Sequence, residues 1–244
     1  MIAVAAAIAL CTLHRQKMTP VLWLDLKGNV LINGDPITPQ IDEGVSPVKL
    51  TGGVGYDFSS GRGGILLGDP SALKLGGSLT ISAWLYPRSY AVAAPQSEIL
   101  FRGDDRNGLD PYCLELQQDG TIKFQIDDER NHAMRVSYEI ELNRWTHVTA
   151  SFNAKSGDMI LYLNGKKVVT GRTSLRPFTD LDPGSAPGTS VGNVQSDHGP
   201  HNQPYNGIIA DLRLYSVPLG PKEAGYDARW EAGKPSAKPS RTDI

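Results

Sequence analysis

The sequence has very little cysteine: only Cys11 and Cys113 among 244 residues. A small domain stapled by disulfides needs more, so a disulfide framework is excluded as the basis of this fold. Cys113 lies in the alternating segment YCLELQ, on the strand face that it shares with Glu115 and Gln117. The neighbouring residues offer no base that would activate a thiol. We therefore predict a half-buried structural cysteine rather than a nucleophile.

Neither sign of charge is in excess, because 24 Lys and Arg against 26 Asp and Glu give a formal net charge of −2. No basic stripe interleaves with the aromatic residues, which make up 7% of the chain. Nucleic-acid-binding domains show such stripes, so nucleic acid is excluded as a partner. The 26 glycines and 17 prolines are typical of a turn-rich β protein.

The chain shows no apolar run that could cross a bilayer. The N-terminal run, Met1–Leu10, has ten residues, about half the length of a spanning helix. Basic residues follow this run instead of preceding it, so a secretory signal, a membrane anchor and a structural arm all stay open. We favour targeting or membrane attachment, and hence an extracytoplasmic location. The predicted divisions are a leader at 1–17, one domain at 18–230 and a polar tail at 231–244.

Three consecutive strands are predicted from the alternation of apolar and polar residues over Trp145–Asn153, Met159–Leu163 and Lys166–Thr170. Asn164 and Gly165 separate the last two. This pair readily adopts the two positive φ angles of a type I′ turn, so it predicts a tight hairpin.

These stretches resemble the W-x-H-V and L-Y-x-N-G-x-x-V signature of laminin-G-like and pentraxin-like domains in the concanavalin A-like lectin/glucanase superfamily. Three further stretches are similar to the same family in the same order: Tyr56-Asp57-Phe58, Leu79–Pro87 and Gly207–Leu219. The resemblance covers residues 20–225 and implies an all-β fold, a jelly-roll sandwich of two antiparallel sheets. It implies no reaction, since one fold hosts binders and enzymes alike.

The glucanases of this superfamily use a strand of the form E-x-D-x-E, in which the first glutamate attacks the sugar and the last protonates the leaving oxygen. The similar stretch here carries Gln125, Asp127 and Glu129. A neutral amide therefore stands where the ionised nucleophile is needed. We predict that residues 127–129 form a solvated hairpin end and that the protein is not an enzyme.

Many members of the resembled family hold a calcium ion between loops at one edge of the sandwich, through Asp carboxylates and backbone carbonyls. Oxygen ligands of this kind suit a hard cation. By position, Asp57 and Asp211 match such carboxylates, so the resemblance implies a structural calcium ion there. The alternative for Asp211 is an ion pair with Arg213.

Aromatic residues fall on strand faces opposite the aliphatic ones, which predicts a surface where sugar rings stack on flat side chains. Trp84 and Trp145 belong to the resembled signature and are predicted to be buried framework residues. The segment SDHGPHNQP holds two histidines without the spacing of a known zinc site, and it is predicted to be a ligand-contact loop. The predicted ligand-binding residues are Tyr86, Tyr162, His198, His201 and Tyr205.

The combined prediction is a non-catalytic recognition module that binds carbohydrate or matrix glycan. The alternative is a structural or adhesion module that mediates protein–protein assembly at a cell surface. A glycoside hydrolase or lyase is the third hypothesis. The sequence does not indicate an oligomeric state.

Overall fold

The computed structural model describes residues 18–59, 62–91, 94–106, 108–184, 187–195 and 199–229. These residues form seventeen strands, one 3-10 turn at Ser71–Leu73 and one short helix, α1, at Pro221–Asp227. The strands are β1 Leu22–Leu24, β2 Val30–Ile32, β3 Asp35–Ile37, β4 Gln40–Ile41, β5 Ser46–Leu50, β6 Gly53–Asp57, β7 Ile65–Gly68, β8 Leu79–Pro87, β9 Gln96–Gly103, β10 Tyr112–Gln117, β11 Thr121–Asp127, β12 Ala133–Glu139, β13 Thr146–Phe152, β14 Asp158–Leu163, β15 Lys166–Arg172, β16 Gly188–Val191 and β17 Gly207–Tyr215.

The strands form two antiparallel sheets, which confirms the predicted concanavalin A-like sandwich. The larger sheet runs β15-β14-β13-β8-β17-β1-β2-β3, and β6 with its partner β5 also joins β17. The smaller sheet runs β12-β11-β10-β9-β16-β7-β4. Every strand pairs in the antiparallel sense.

The hydrophobic core lies between the two sheets. Alternate residues along each strand point inward because successive side chains of a strand project to opposite faces. The core includes Leu79, Ile81, Ala83 and Leu85 of β8, Leu114 and Leu116 of β10, and Ile122, Phe124 and Ile126 of β11. All of these are 0% to 1% exposed. Each buried Leu, Ile or Phe side chain contributes about 1.5–3 kcal/mol of transfer free energy.

The predicted hairpin turn between β14 and β15 is confirmed, since Asn164 has φ 51° and Gly165 has φ 76°. A second Asn-Gly pair, Asn33 and Gly34, takes the same conformation between β2 and β3. The strand and turn patterns identified in the sequence do not include this hairpin. Pro36 argues against a strand at this position, because proline is usually excluded from strand interiors. It is tolerated here because β3 is an edge strand.

The outer face of the larger sheet is covered by the segment before α1, and its polar side chains pair with that segment. Thr80 donates a hydrogen bond to the carbonyl oxygen of Val217 (2.8 Å), and Ser151 donates to that of Leu219 (3.0 Å). Ser82 Oγ lies 3.1 Å from His147 Nε2. Burial, with a smaller effect from Arg213, lowers the pKa of His147 to about 3, so this ring is neutral.

Candidate functional site

The structure does not bring the predicted ligand-binding tyrosines to one exposed surface. Tyr86 is 6% exposed and packs beside Trp145, with ring centroids 5.4 Å apart. Tyr162 and Tyr205 are each 1% exposed, and Tyr205 contacts Phe58 within the main core. The proposed stacking platform is therefore corrected. Strand alternation identifies a face of a sheet, but it does not reveal which segment covers that face.

The tryptophans behave as predicted, because Trp84 is 3% and Trp145 is 9% exposed. The two histidines of the predicted ligand loop have different outcomes. His198 lies outside the described residues. His201 is 8% exposed, its ring centroid is 4.6 Å from that of Phe101, and its Nε2 is 3.1 Å from the carbonyl oxygen of Asp104. His201 therefore serves as a packing residue in this structure.

Asp57 and Asp211 both bind guanidinium groups. Asp57 accepts two hydrogen bonds from Arg88, at 2.7 and 2.6 Å. Asp211 accepts two from Arg213, at 3.0 and 2.7 Å, and a third from the indole of Trp23 at 2.7 Å. No group of three or more His, Cys, Asp or Glu residues within the described ranges is placed to hold a metal. The two carboxylates fit ion pairs better than a calcium site, and no calcium chemistry is derived from them.

Chemically unusual side chains occur instead on the outer face of the smaller sheet, here called the polar face. It consists of Glu98 on β9, Cys113 and Glu115 on β10, Lys123, Gln125 and Asp127 on β11, and Arg135 on β12. The strand register places Glu98 opposite Glu115, and Glu115 opposite Lys123. It also places Cys113 opposite Gln125, and Gln125 opposite Arg135. The face thus holds two rows of paired polar residues.

Most of the polar face is buried although it lies outside the core; Lys123 is only partly buried and Arg135 is exposed. Glu98 is 1%, Glu115 3%, Cys113 0% and Asp127 1% exposed. The segment that follows β16 crosses it: Val194 packs on Phe101 and Cys113, and the main-chain carbonyl of Gln203 accepts a hydrogen bond from the Glu98 amide at 2.8 Å.

Several carboxylate oxygens of this region have no hydrogen-bond partner among the described residues: Glu98 Oε2, Asp110 Oδ1 and Asp127 Oδ1. Burial, reinforced by Asp127 and Glu115, raises the pKa of Asp110 to about 8. Burial likewise raises the pKa of Asp127 to about 7, against the opposing charge of Arg135. The pKa of Glu98 lies well above its usual range because of burial and then the nearby Glu115 and Asp110. Burying an ionised carboxylate without a partner costs so much free energy that the protonated form of each of these groups is favoured.

The remaining members of the face are paired. Glu115 forms an ion pair with Lys123 and accepts hydrogen bonds from Cys113 (3.2 Å) and Gln117 (3.0 Å). Burial, then the charges of Glu115 and Glu98, raises the pKa of the Cys113 thiol well above its usual range. A protonated, fully buried thiol is inert. The prediction of a structural cysteine is consistent with this, although Cys113 is fully rather than half buried.

Glu98 and Glu115 are the chemically suggestive pair, because directly opposed residues place their Cβ atoms about 5 Å apart. A retaining glycosidase uses a pair of carboxyl groups, one protonated and one ionised, and the register places Glu98 opposite Glu115. The covering segment closes this pair off, however, and a sugar chain in solvent does not reach it. The described arrangement therefore supports a structural role for the pair.

The stretch QIDDE needs one correction. Asp127 is not part of a solvated hairpin end, since it is buried and accepts a hydrogen bond from Gln125 at 3.1 Å. Asp128 is partly exposed and Glu129 is exposed, as expected for a hairpin end. The sequence contained a signal for the polar face: Glu115 on β10 and Lys123 and Asp127 on β11 fall at every second position. The local pattern predicts solvation at Asp127 because covering by a segment distant in sequence is not visible in it.

A solvent-open cavity of about 430 Å³ lies at one end of the β14–β15 hairpin. It is lined by residues 155–157 of the turn between β13 and β14, by residues 172–174 at the end of β15, and by Arg176. The register pairs Asp158 with Arg172, which brings the turn beside the end of β15. None of the predicted site residues that the structure describes lines this cavity.

The described residues include no helix with the length and hydropathy needed to cross a membrane. The apolar run Met1–Leu10 lies outside those residues.

Solved structures with the same fold include toxin binding domains. The binding domain of Paraclostridial Mosquitocidal Protein 1 has a TM-score of 0.64 at 14% identity, covering 86% of this chain and 51% of that one. The binding domain of botulinum neurotoxin DC in complex with rat synaptotagmin II has a TM-score of 0.63 at 16% identity, with coverages of 86% and 51%. The same toxin domain in complex with SialylT has a TM-score of 0.62 at 15% identity, with coverages of 86% and 50%.

At such identities the likeness shows the fold alone, and this chain spans about half the length of those structures. No curated protein matches the chain. The family model Laminin_G_3, described as concanavalin A-like lectin/glucanases superfamily, matches residues 59–225. The chain therefore belongs to the Laminin_G_3 family of the concanavalin A-like superfamily.

Proposed function

We propose that this protein is a recognition module that binds carbohydrate and does not cleave it. The family supports binding, because its superfamily unites lectins and glucanases on one fold. The similar toxin structures are described as binding domains, and one of them is described in complex with SialylT. Fold likeness leaves the choice between binding and hydrolysis open, so the site must decide it.

The observation that carries the non-catalytic half of the proposal is the closure of the polar face. A glycosidase needs its two carboxyl groups within reach of the scissile bond. Here Glu98 and Glu115 are 1% and 3% exposed, and Val194 and His201 pack against the same face from outside. Carbohydrate is therefore expected to bind on open surfaces of the sandwich rather than over these carboxyl groups.

A protein partner is the second candidate, favoured by the botulinum neurotoxin DC domain in complex with rat synaptotagmin II. This corresponds to the adhesion hypothesis from the sequence. Either function places the domain outside the cytoplasm, in line with the targeting interpretation of Met1–Leu10.

The test is a glycan array probed with the full chain, with and without calcium, alongside a reducing-end assay on β-glucans. Saturable glycan binding without release of reducing ends is expected. Release of reducing ends that is abolished by Glu98→Gln or Glu115→Gln would overturn the non-catalytic proposal. Absence of binding to every glycan, combined with specific capture of a surface protein, would favour the second candidate.

A further inference from the structure

The cavity beside β15 carries an excess of positive charge. Its lining includes Lys155, Arg172 and Arg176 and no acidic residue. The one carboxylate paired with them is Asp158, whose Oδ1 is 3.6 Å from Arg172 Nε, and this ion pair is weak because the Arg172 side chain is 74% exposed. Lys155 is exposed and forms no ion pair with the described residues. Three cations against one distant carboxylate favour an anionic ligand.

Arg176 is held in place before any ligand arrives. Its guanidinium donates to the carbonyl oxygens of Leu175, at 2.7 Å, and of Ala154. It also lies over the ring of Phe152, 5.5 Å from the centroid. None of these contacts neutralises its charge. A fixed, uncompensated guanidinium loses little side-chain entropy on binding and suits a planar or tetrahedral oxyanion.

The shape of the cavity is fixed by the backbone at Gly157. This residue has φ +80°, and a Cβ atom there would lie 2.2 Å from the carbonyl oxygen of Thr173. Two hydrogen bonds hold the turn at Gly157 against the end of β15. The Gly157 amide donates to the Asn153 carbonyl oxygen (2.7 Å), and the Thr173 amide donates to the Gly157 carbonyl oxygen (2.9 Å). The turn and the end of β15 therefore form one rigid lining.

The other lining groups suit a hydroxylated ligand. Ser156, Thr173 and Ser174 are among the lining residues. The Ser156 hydroxyl donates to Asp158 Oδ2 at 2.7 Å and the Thr173 hydroxyl accepts from the Leu175 amide at 3.1 Å, and a hydroxyl can both donate and accept. No aromatic ring lines the cavity. A neutral sugar, which relies on ring stacking for much of its affinity, therefore gains little here. The volume of about 430 Å³ is within the range of small-molecule sites.

We propose that this cavity binds an acidic saccharide, with the carboxylate or sulfate group of the sugar held by Lys155, Arg172 and Arg176. The inference rests on the proposed carbohydrate-binding function and names its ligand class. Charge-assisted hydrogen bonds supply the affinity, so binding weakens as ionic strength rises.

The test compares three forms of one hexasaccharide derived from heparin: sulfated, desulfated with its carboxylates intact, and desulfated with its carboxylates reduced. Affinity for the full-length chain is measured by calorimetry at low ionic strength. The expected order is sulfated, then carboxylate-only, then neutral, which separates the two sources of anionic charge. Amide resonances of Lys155, Gly157 and Thr173 should shift on binding, while that of Gly120, in the β10–β11 turn, should not.

The decisive variant is Lys155→Gln with Arg172→Gln, which changes two exposed side chains; the melting temperature is measured alongside, because Arg172 also donates a hydrogen bond to the carbonyl oxygen of Ser156 at 3.0 Å. Affinity for the acidic forms should fall about 10- to 100-fold. The matched control, Lys49→Gln with Arg144→Gln, removes the same net charge from exposed positions outside the cavity lining and should change affinity less than about twofold.

Equal losses in the two double variants would overturn the site, because bulk charge alone would then explain binding. A second outcome would overturn this inference but leave the proposed function intact. In that case neutral glycans bind on the array, and the cavity variant does not change the affinity for the acidic hexasaccharides. Shifts of the cavity amides by inorganic sulfate, without binding of any saccharide, would overturn both.

Discussion

The polar face of the smaller sheet and the cavity beside β15 differ in the exposure of their ionisable side chains. On the polar face, the carboxyl groups of Glu98 and Asp127 are buried, each has one oxygen without a hydrogen-bond partner within the described residues, and protonation lowers the free-energy cost of burying them. At the cavity, cations stay in contact with solvent and carry full charge. Removing charges from water is expensive, so the closed face affects stability, whereas the open cavity is available for binding at little cost to folding.

The largest effect expected from this contrast comes from removing one cation from each region. Lys123→Met leaves the Glu115 carboxylate buried without its ion-pair partner and should destabilise the protein by about 3 kcal/mol. Lys155→Met removes an exposed, unpaired ammonium and should change stability by less than about 0.5 kcal/mol. Urea unfolding of both variants at neutral pH measures the difference. Equal effects would show that the polar face is not closed.

Thiol labelling probes the closure directly. In a Cys11→Ser background, Cys113 should react with a thiol reagent at least about 100-fold more slowly in the native protein than in denaturant, because the covering segment must first open. The control places a thiol in the open cavity, as Ser174→Cys in a Cys11→Ser, Cys113→Ala background, and should label rapidly. Comparable rates for the two thiols would contradict the contrast.

The pH dependence of stability gives a smaller effect with a definite sign. Asp110 and Asp127 have folded-state pKa values of about 8 and about 7, above the usual 3.8. Their protonated forms favour the folded state, so this contribution is fully present below pH 4 and is lost as pH rises to about 8. The free energy of unfolding of the wild type, relative to Asp110→Asn, should fall by on the order of 1–3 kcal/mol between pH 5 and pH 8. A difference that stays constant or rises over this range would be the contrary result.

Calcium is expected to give the smallest effect. An ion at Asp57 or Asp211 would have to displace Arg88 or Arg213, so added calcium should shift the melting temperature by less than about 1 °C. A larger increase, lost in Asp57→Asn or Asp211→Asn, would establish the calcium site that the family resemblance implies.

Much of the fold follows from local pattern. The alternation over Trp145–Asn153 and the Asn164-Gly165 turn define β13, β14 and β15, because side-chain period and turn conformation are local properties. Helix α1 begins at Pro221, a position at which proline is favoured because it suits the first turn of a helix. The order of the signature stretches then indicated the sandwich that the two sheets confirm.

The site residues were less predictable, because burial outside the core depends on segments distant in sequence. Tyr86 and Tyr162 stand on outer strand faces as the alternation indicated, yet both are covered. The local sequence pattern predicts a solvated Asp127. In the structure this residue is buried on the polar face, which Val194 and His201 help to cover. The cavity joins two chain segments that the strand register brings together, through the pairing of Asp158 with Arg172.

The sequence by itself therefore determined strands β13 to β15, the hairpin between β14 and β15 and the family, because these depend on residue periodicity, turn chemistry and motif order. The tertiary structure decided which polar residues are protonated and closed off and which cations stay open to a ligand. The physical reason is that a side chain's exposure, and hence its charge state and availability, is set by whatever packs over it from elsewhere in the chain.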